Sequence, residues 1–289
     1  MMGVATFQDS LPELPSERAV MERARTENFP VAARVLSRRH RRGMLAVYGF
    51  ARLADEIGDE LEGDRLGALD WLEQELDRAY AGQAEHPLLQ TLQEVLAEHP
   101  LPRGPFARLI EANRVDQRVS RYDTWEQLAG YCELSANPVG ELVLGVFDLA
   151  TPERIELSNR VCTALQLIEH LQDLGEDMGR GRMYIPDEDR ARFGTSQEGL
   201  RETVAFETAR ARELLVAGRA LVASVPGRAK LAVAAFVASG EAAIMEIERA
   251  HYEVVGGVPQ ASAWRRIGEL VRVLGRSRRG QRATGCWTR

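Results

Sequence analysis

The 289-residue chain is 45% hydrophobic and 28% charged with a net charge of −6, enough apolar material for a sizeable core and the wrong charge for a nucleic-acid binder. Its three cysteines, Cys132, Cys162 and Cys286, lack C-x-x-C spacing, which excludes a zinc or redox pair of that kind and leaves small core residues and a tail thiol. No basic region followed by an apolar run opens the sequence, and Leu231 to Ala238, the longest strongly apolar stretch, falls far short of the roughly 20 residues that cross a bilayer.

Apolar residues recur at helical spacing in segments at about 16–28, 37–60, 66–82, 87–98, 104–120, 124–147, 152–178, 197–224, 227–255 and 262–275, and nothing alternates cleanly with period two. No linker, low-complexity tract or repeat divides them. The expectation is one all-α domain over 1–289, with flexible ends at about 1–15 and 276–289.

The segment at 37–60 opens on S-R-R-H-R-R (Ser37 to Arg42), which reads as a solvated helix start or as a phosphate contact. Behind it Tyr48, Arg52, Asp55 and Asp59 follow at steps of four, three and four and share one stripe. That stripe is too polar for a core and too aromatic for open solvent, as expected of a polar cavity lining. Asp55 and Asp59 place two carboxylates one turn apart, a perch for a hard divalent cation. Acid pairs at this spacing also occur on plain solvated helices, so the neighbours decide.

Thr124 with Gln127 marks the next start. Within 124–147, Ser135, Ala136, Gly140 and Gly145 thin one side and Pro138 should kink the helix; tight packing and a cavity wall are both open readings. Thr151 before Pro152 caps the segment that carries Gln166, Glu169 and His170 and ends in a second pair, Asp173 and Asp177. That pair runs into R-G-R-M-Y-I-P (Arg180 to Pro186), whose guanidinium groups suit phosphate oxygens. Thr195 with Glu198 marks a further start. The five histidines form no metal cluster. Two acidic perches facing each other across a helical cavity could hold several cations that bridge to a diphosphate, a layout that suggests prenyl diphosphate chemistry.

Four ordered blocks carry a family resemblance: Y-x-x-x-R-x-x-D-x-x-x-D (Tyr48 to Asp59), V-D-Q-R-V-S-R-Y (Val115 to Tyr122), Y-C-E-L-S-A-N-P-V-G (Tyr131 to Gly140) and Q-L-I-E-H-L-Q-D-L-G-E-D-M-G-R-G-R-M-Y-I-P (Gln166 to Pro186). From about Glu27 to about Tyr252 the chain resembles the squalene and phytoene synthase family of head-to-head prenyl transferases. Glu27 to Arg34 and S-A-N-P-V-G look most like its hydroxysqualene synthase branch. The resemblance implies an isoprenoid-synthase helical bundle with a central cavity. Asp55, Asp59, Asp173 and Asp177 would hold Mg2+ or Mn2+, and Arg52 and Arg182 would meet the diphosphate. Ala136, Gly140 and Gln166 would line the prenyl pocket, and Tyr48, Tyr131 and Tyr184 would face a carbocation. The implied substrate is presqualene diphosphate, with water ending the reaction.

Asn137 and Glu169, and Gln172 beside the second pair, depart from the common family pattern; Asn137 and Glu169 join the catalytic candidates as polar groups able to position water. Alternatives stay open: condensation of farnesyl diphosphate to presqualene diphosphate, phytoene or dehydrosqualene synthesis, or an inactive member acting as an assembly factor. No Gly-rich dinucleotide fingerprint appears, so NADPH is not expected. A cytoplasmic location follows, and the basic stretch from Arg272 to Arg289, with Trp287, reads as a disordered tail or as a contact to the inner face of the plasma membrane.

Overall fold

The computed structural model describes residues 15–23 and 36–284. Their regular structure is helical, apart from one isolated parallel bridge between Arg121 and Met183, and no helix among them is long and apolar enough to cross a membrane. Backbone contacts divide the chain into two compact units, Met1–Arg118 and Val119–Arg289.

In the first unit α2 (Arg38–Asp59) packs against α1 (Glu17–Arg23), α3 (Arg65–Tyr80), α4 (Pro87–Glu98) and α5 (Arg103–Asp116). The Ser37 hydroxyl accepts from the His40 N–H and starts α2, as Asp64 does from the Gly67 N–H for α3. Phe50, Leu53 and Ile57 on the inner stripe of α2 are fully buried with Leu69, Leu72, Leu89, Phe106 and Ile110, each such side chain contributing about 1.5–3 kcal/mol by burial. The Phe50 and Phe106 rings meet edge to face at 4.9 Å. The end of α5 comes closest at Gly58, where an added Cβ would lie 2.0 Å from the Asn113 Oδ1. Gln117 Nε2 donates to the Gly58 carbonyl at 2.9 Å and fixes that approach.

The second unit holds α6 (Trp125–Ser135), α7 (Asn137–Val146), α8 (Pro152–Gln172), α9 (Leu174–Gly179), α10 (Asp187–Phe193), α11 (Gln197–Gly218), α12 (Ala220–Ser224), α13 (Gly227–Arg249) and α14 (Ala263–Thr284). The long α8 packs on α6, α7, α11 and α13. The caps at Thr124 and Thr151 are in place, accepting from the Gln127 and Arg154 N–H groups. The third cap is corrected by one residue. Ser196, not Thr195, accepts from the Gly199 N–H, because Gly199 sits against the Phe193 and Gly194 carbonyls and sets where α11 can begin.

Pro138 ends one helix and opens another: the 124–147 segment divides at Ala136, with Pro138 in the first turn of α7 where its missing N–H costs nothing. Gly140 faces α8, where an added Cβ would lie 2.3 Å from Ser158 Oγ and 2.6 Å from Cys162 Sγ, so at this residue the thin side is a helix-packing contact. Helix α10 lay outside the expected segments, being seven residues long with Phe193 and Ala191 as its only apolar side chains. The C-terminal helix runs through Thr284, beyond the periodic segment expected to stop at 275.

Candidate active site

On α2 the stripe is present as spaced: Tyr48 and Arg52 are partly buried, and Asp55 and Asp59 open to solvent. Arg52 lies 3.5 Å from Glu56 and 3.4 Å from Glu60, so its charge is shared along its own helix. Asn113 Nδ2, from α5, donates to Asp55 at 3.2 Å and to the Leu109 carbonyl at 3.1 Å. Asp55 keeps an accessible edge while protein crowds its carboxyl. That desolvation, with Asp59 and Asp116 adding like charge against the help of Asn113 and Arg52, pushes its pKa up to about 6.

The second pair is mounted differently. Asp173 closes α8 and precedes α9, at φ −96° and ψ 7°, yet the Asp177 N–H still bonds the Asp173 carbonyl at 2.9 Å, so one turn of the spacing survives the break. Gly181, at φ 77°, turns the chain back, and the Arg182 N–H reaches the Asp177 carbonyl at 2.8 Å. Burial is the main cause that raises Asp177 to about 6, with Asp173 adding to it and Arg182 and Arg180 opposing. Burial and Glu176 raise Asp173 as well.

Asp55, Asp173 and Asp177 thus place carboxyls in surroundings that disfavour their charge, an electrostatic fit for a divalent cation. Among the described residues no three His, Cys, Asp or Glu side chains form a ready-made cage. Magnesium suits that arrangement, since it is commonly held by one or two carboxylates and completes its shell with water and substrate phosphate.

Beyond the acids the second unit builds an aromatic wall. The Tyr184 ring stacks on His170 at 3.9 Å and 7°, and Tyr131 and Tyr122 stand 5.6 and 6.0 Å from Tyr184. Burial pushes His170 down to about 3, so its ring is neutral at physiological pH. Gln166 Nε2 lies 3.2 Å from His170 Nε2, within hydrogen-bond reach of the neutral ring. Asn137 is buried in α7, and its Oδ1 accepts from the Thr163 hydroxyl at 3.1 Å; Glu169 is exposed a turn before Asp173. Of the expected residues the fold thus gathers Tyr131, Tyr184 and Gln166. Tyr122 and His170 belong with them and were not among the assigned site residues, although Tyr122 ends a motif block and His170 stands four residues after Gln166.

The segment bearing Tyr184 is clamped on both sides. Met183 and Asp187 N–H groups bond the Ser120 and Tyr122 carbonyls at 2.8 and 2.9 Å, and Arg121 pairs with Asp187 at 3.1 Å. Just beyond, Arg210 Nη1 donates to Asp189 at 2.8 Å and to Glu207 at 2.6 Å while its guanidinium lies over Trp125 at 4.5 Å. Glu207 is wholly buried, and burial, with the facing Asp189 adding to it and Arg210 opposing, pushes it up to about 8.

The squalene/phytoene synthase family model matches residues 23–265. The chain belongs to that family. A hydroxysqualene synthase of Rhodopseudomonas palustris is 40% identical over 167 residues, 56% of each chain, so that match spans little more than half of the relative's length. A hydroxysqualene synthase of Sinorhizobium fredii is 35% identical over 70% of this chain and 72% of its own. The crystal structure of squalene synthase HpnC from Alicyclobacillus acidocaldarius superposes with a TM-score of 0.75 at 42% identity, covering 82% of this chain and 95% of that one. The fold is therefore the isoprenoid-synthase helical fold of this family.

Proposed function

We propose that this squalene/phytoene synthase family member converts presqualene diphosphate to hydroxysqualene. The carbon–oxygen bond to diphosphate breaks with its electron pair leaving on the diphosphate, and water forms a new carbon–oxygen bond to the rearranged cation and gives its proton to solvent or diphosphate. The observation that carries this reading is the aromatic wall built around a histidine that cannot charge. A cationic imidazole would repel a carbocation, whereas burial keeps His170 neutral and the faces of Tyr122, Tyr131 and Tyr184 attract positive charge. Two relatives named hydroxysqualene synthase support the choice of product.

Magnesium, with manganese as a substitute, would be held by Asp55, Asp59, Asp173 and Asp177 and would supply the positive charge that stabilises departing diphosphate. Arg182, whose charge already acts on Asp177, is placed to bind a diphosphate oxygen, and Arg52 serves the same end beside Asp55. Tyr48 and Ala136 complete the proposed substrate-facing set. Asn137 and Glu169 would orient the capturing water, Asn137 from an amide already oriented by Thr163.

The test offers presqualene and farnesyl diphosphates separately, with magnesium and without NADPH, in oxygen-18 water. A labelled C30 alcohol from presqualene diphosphate is the expected product, and Asn137→Gly should divert part of it to elimination products. An unlabelled hydrocarbon, or consumption of farnesyl diphosphate alone with presqualene diphosphate accumulating, would overturn water capture; the second result would make condensation the reaction.

A further inference from the structure

Tyr122 and Tyr184 both stand outside helices, on short segments that run within a few residues into side chains held by Arg210. Tyr122 is followed by Asp123, Thr124 and Trp125, which opens α6. Tyr184 is followed by the buried Ile185, by Pro186 at φ −55° and by α10, whose first turn carries Asp189. The two segments are zipped together. Met183, Asp187 and Glu188 N–H groups bond the Ser120, Tyr122 and Asp123 carbonyls at 2.8, 2.9 and 3.0 Å, and the Trp125 N–H bonds Glu188 Oε1 at 2.7 Å. Arg210, from α11, takes hold where the zip ends: it donates to Asp189 at 2.8 Å and to Glu207 at 2.6 Å, and its guanidinium lies 4.5 Å over the Trp125 ring.

Only a planar cation does all of this at once, its face on the indole and its edge donating to the carboxyls. Stability alone does not call for such a group. Asp189 and Glu207 are both buried, and apolar side chains of similar volume often replace a buried ion cluster with no loss of stability. What the guanidinium adds is direction. By fixing Trp125 and Asp189 relative to α11 it sets the offset between the segments of Tyr122 and Tyr184, whose rings stand 6.0 Å apart at 26°, and with it the stack of Tyr184 on His170 at 3.9 Å.

We propose that Arg210 is a positioning residue for the reaction: from behind the aromatic wall, without touching substrate, it sets where the Tyr184 ring stands against His170 and Tyr122. This rests on the reading that the wall faces the carbocation, and it adds to that reading a residue that acts through another. Since the wall acts on the cation while the diphosphate is gripped elsewhere, a misplaced Tyr184 lowers kcat and leaves KM nearly unchanged.

Two variants of the full chain test it. Arg210→Lys keeps the charge between the two carboxyls and loses the plane, and a neutral brace, Arg210→Met with Asp189→Asn and Glu207→Gln, leaves no uncompensated buried charge. Each is labelled with 3-fluorotyrosine, the Tyr184 resonance being identified by its loss in Tyr184→Phe. In both variants that fluorine signal should shift or broaden, while the signal of Tyr80, in α3, stays where it was. Turnover is measured with presqualene and farnesyl diphosphates offered separately, on whichever the wild type consumes. It should fall by roughly tenfold to a hundredfold in kcat with KM within about threefold, in the neutral brace as well, whose Tm stays near that of the wild type. Three results would overturn the proposal: an unmoved Tyr184 signal in a folded variant, wild-type kcat in either variant, or a loss confined to KM. A failure of water capture shows itself elsewhere, in the oxygen label of the wild-type product, and leaves the fluorine and kcat comparison standing.

Discussion

Asp55 and Asp59 stand on an unbroken turn of α2, and crowding by protein is the main cause that raises Asp55, with Asn113 of α5 donating to it and Asp59, Arg52 and Asp116 acting by charge. Asp173 and Asp177 straddle a helix break, and burial is again the main cause that raises both, with the charges of Glu176, Arg180 and Arg182 close by in sequence. The same spacing is thus reached by two backbone routes, and across the break the Asp177 N–H bond to the Asp173 carbonyl keeps the second pair one turn apart. Burial acts on both pairs, but the hydrogen-bonding neighbour of the first comes from another helix and the charged neighbours of the second from its own segment, so changes to those neighbours should act on different quantities.

The largest expected effect ignores that difference. Asp55→Asn and Asp173→Asn should each lower magnesium-dependent turnover of presqualene diphosphate by roughly a thousandfold with the fold retained by circular dichroism, and the double variant should lose little more. Near wild-type turnover in either single variant would break the assignment.

The next two predictions separate the mountings. Arg182→Lys keeps the charge beside Asp177 but loses the planar fork, so KM for the diphosphate substrate should rise roughly tenfold with less change in kcat. Asn113→Ala removes the bond that favours ionised Asp55, worth about 1.5–3 kcal/mol for a charged acceptor, and should move the acidic limb of the pH–rate profile upward while leaving KM nearly unchanged. If Arg182→Lys shifted the pH limb and Asn113→Ala raised KM, the division into local and tertiary neighbours would be wrong.

Ion binding sharpens the comparison further. Asp55 and Asp177, each raised from 3.8 to about 6, favour the protonated form in the folded state, so the stability they contribute is present at low pH and is lost as pH rises from about 4 through about 6. Magnesium binds the ionised forms. Its effect on Tm should therefore be clear at about pH 7.5 and shrink toward about pH 5, and an effect that grew on acidification would contradict the assigned ligands.

The smallest effect concerns the brace behind Tyr184. Glu207, raised from 4.5 to about 8, costs stability as pH climbs through that window, because the folded state holds its proton longer than the unfolded chain. Glu207→Gln mimics the protonated acid and should flatten the decline of denaturation midpoint between about pH 5 and about pH 8 while leaving activity near wild type. A steeper decline would show that Glu207 is ionised in the brace.

Much of this was legible in the residues themselves. Periodicity located the long helices because each buries one apolar stripe, as Phe50, Leu53 and Ile57 do on α2, and Pro138 marked its break through a missing donor. The break at Asp173 carried no such mark, for no proline is nearby and the apolar pattern runs on through Leu171 and Leu174. Asn113 was invisible as a site residue because its contact with Asp55 spans 58 positions and lies outside every motif block. The His170–Tyr184 stack likewise depends on the bridge that brings 120–123 beside 183–188, which no local spacing encodes.

Gly175, between the second pair of acids, has the Val255 carbonyl so near that a Cβ would stand 2.0 Å from its oxygen. Randomising that codon and selecting for function should return glycine alone. The loop carrying Val255 also holds His251 and Tyr252 in left-handed backbone, at φ 51° and 63°. An engineer who wished to lengthen or graft that loop would find its permissible shapes dictated by a residue some eighty positions earlier, where a single hydrogen atom sets the clearance.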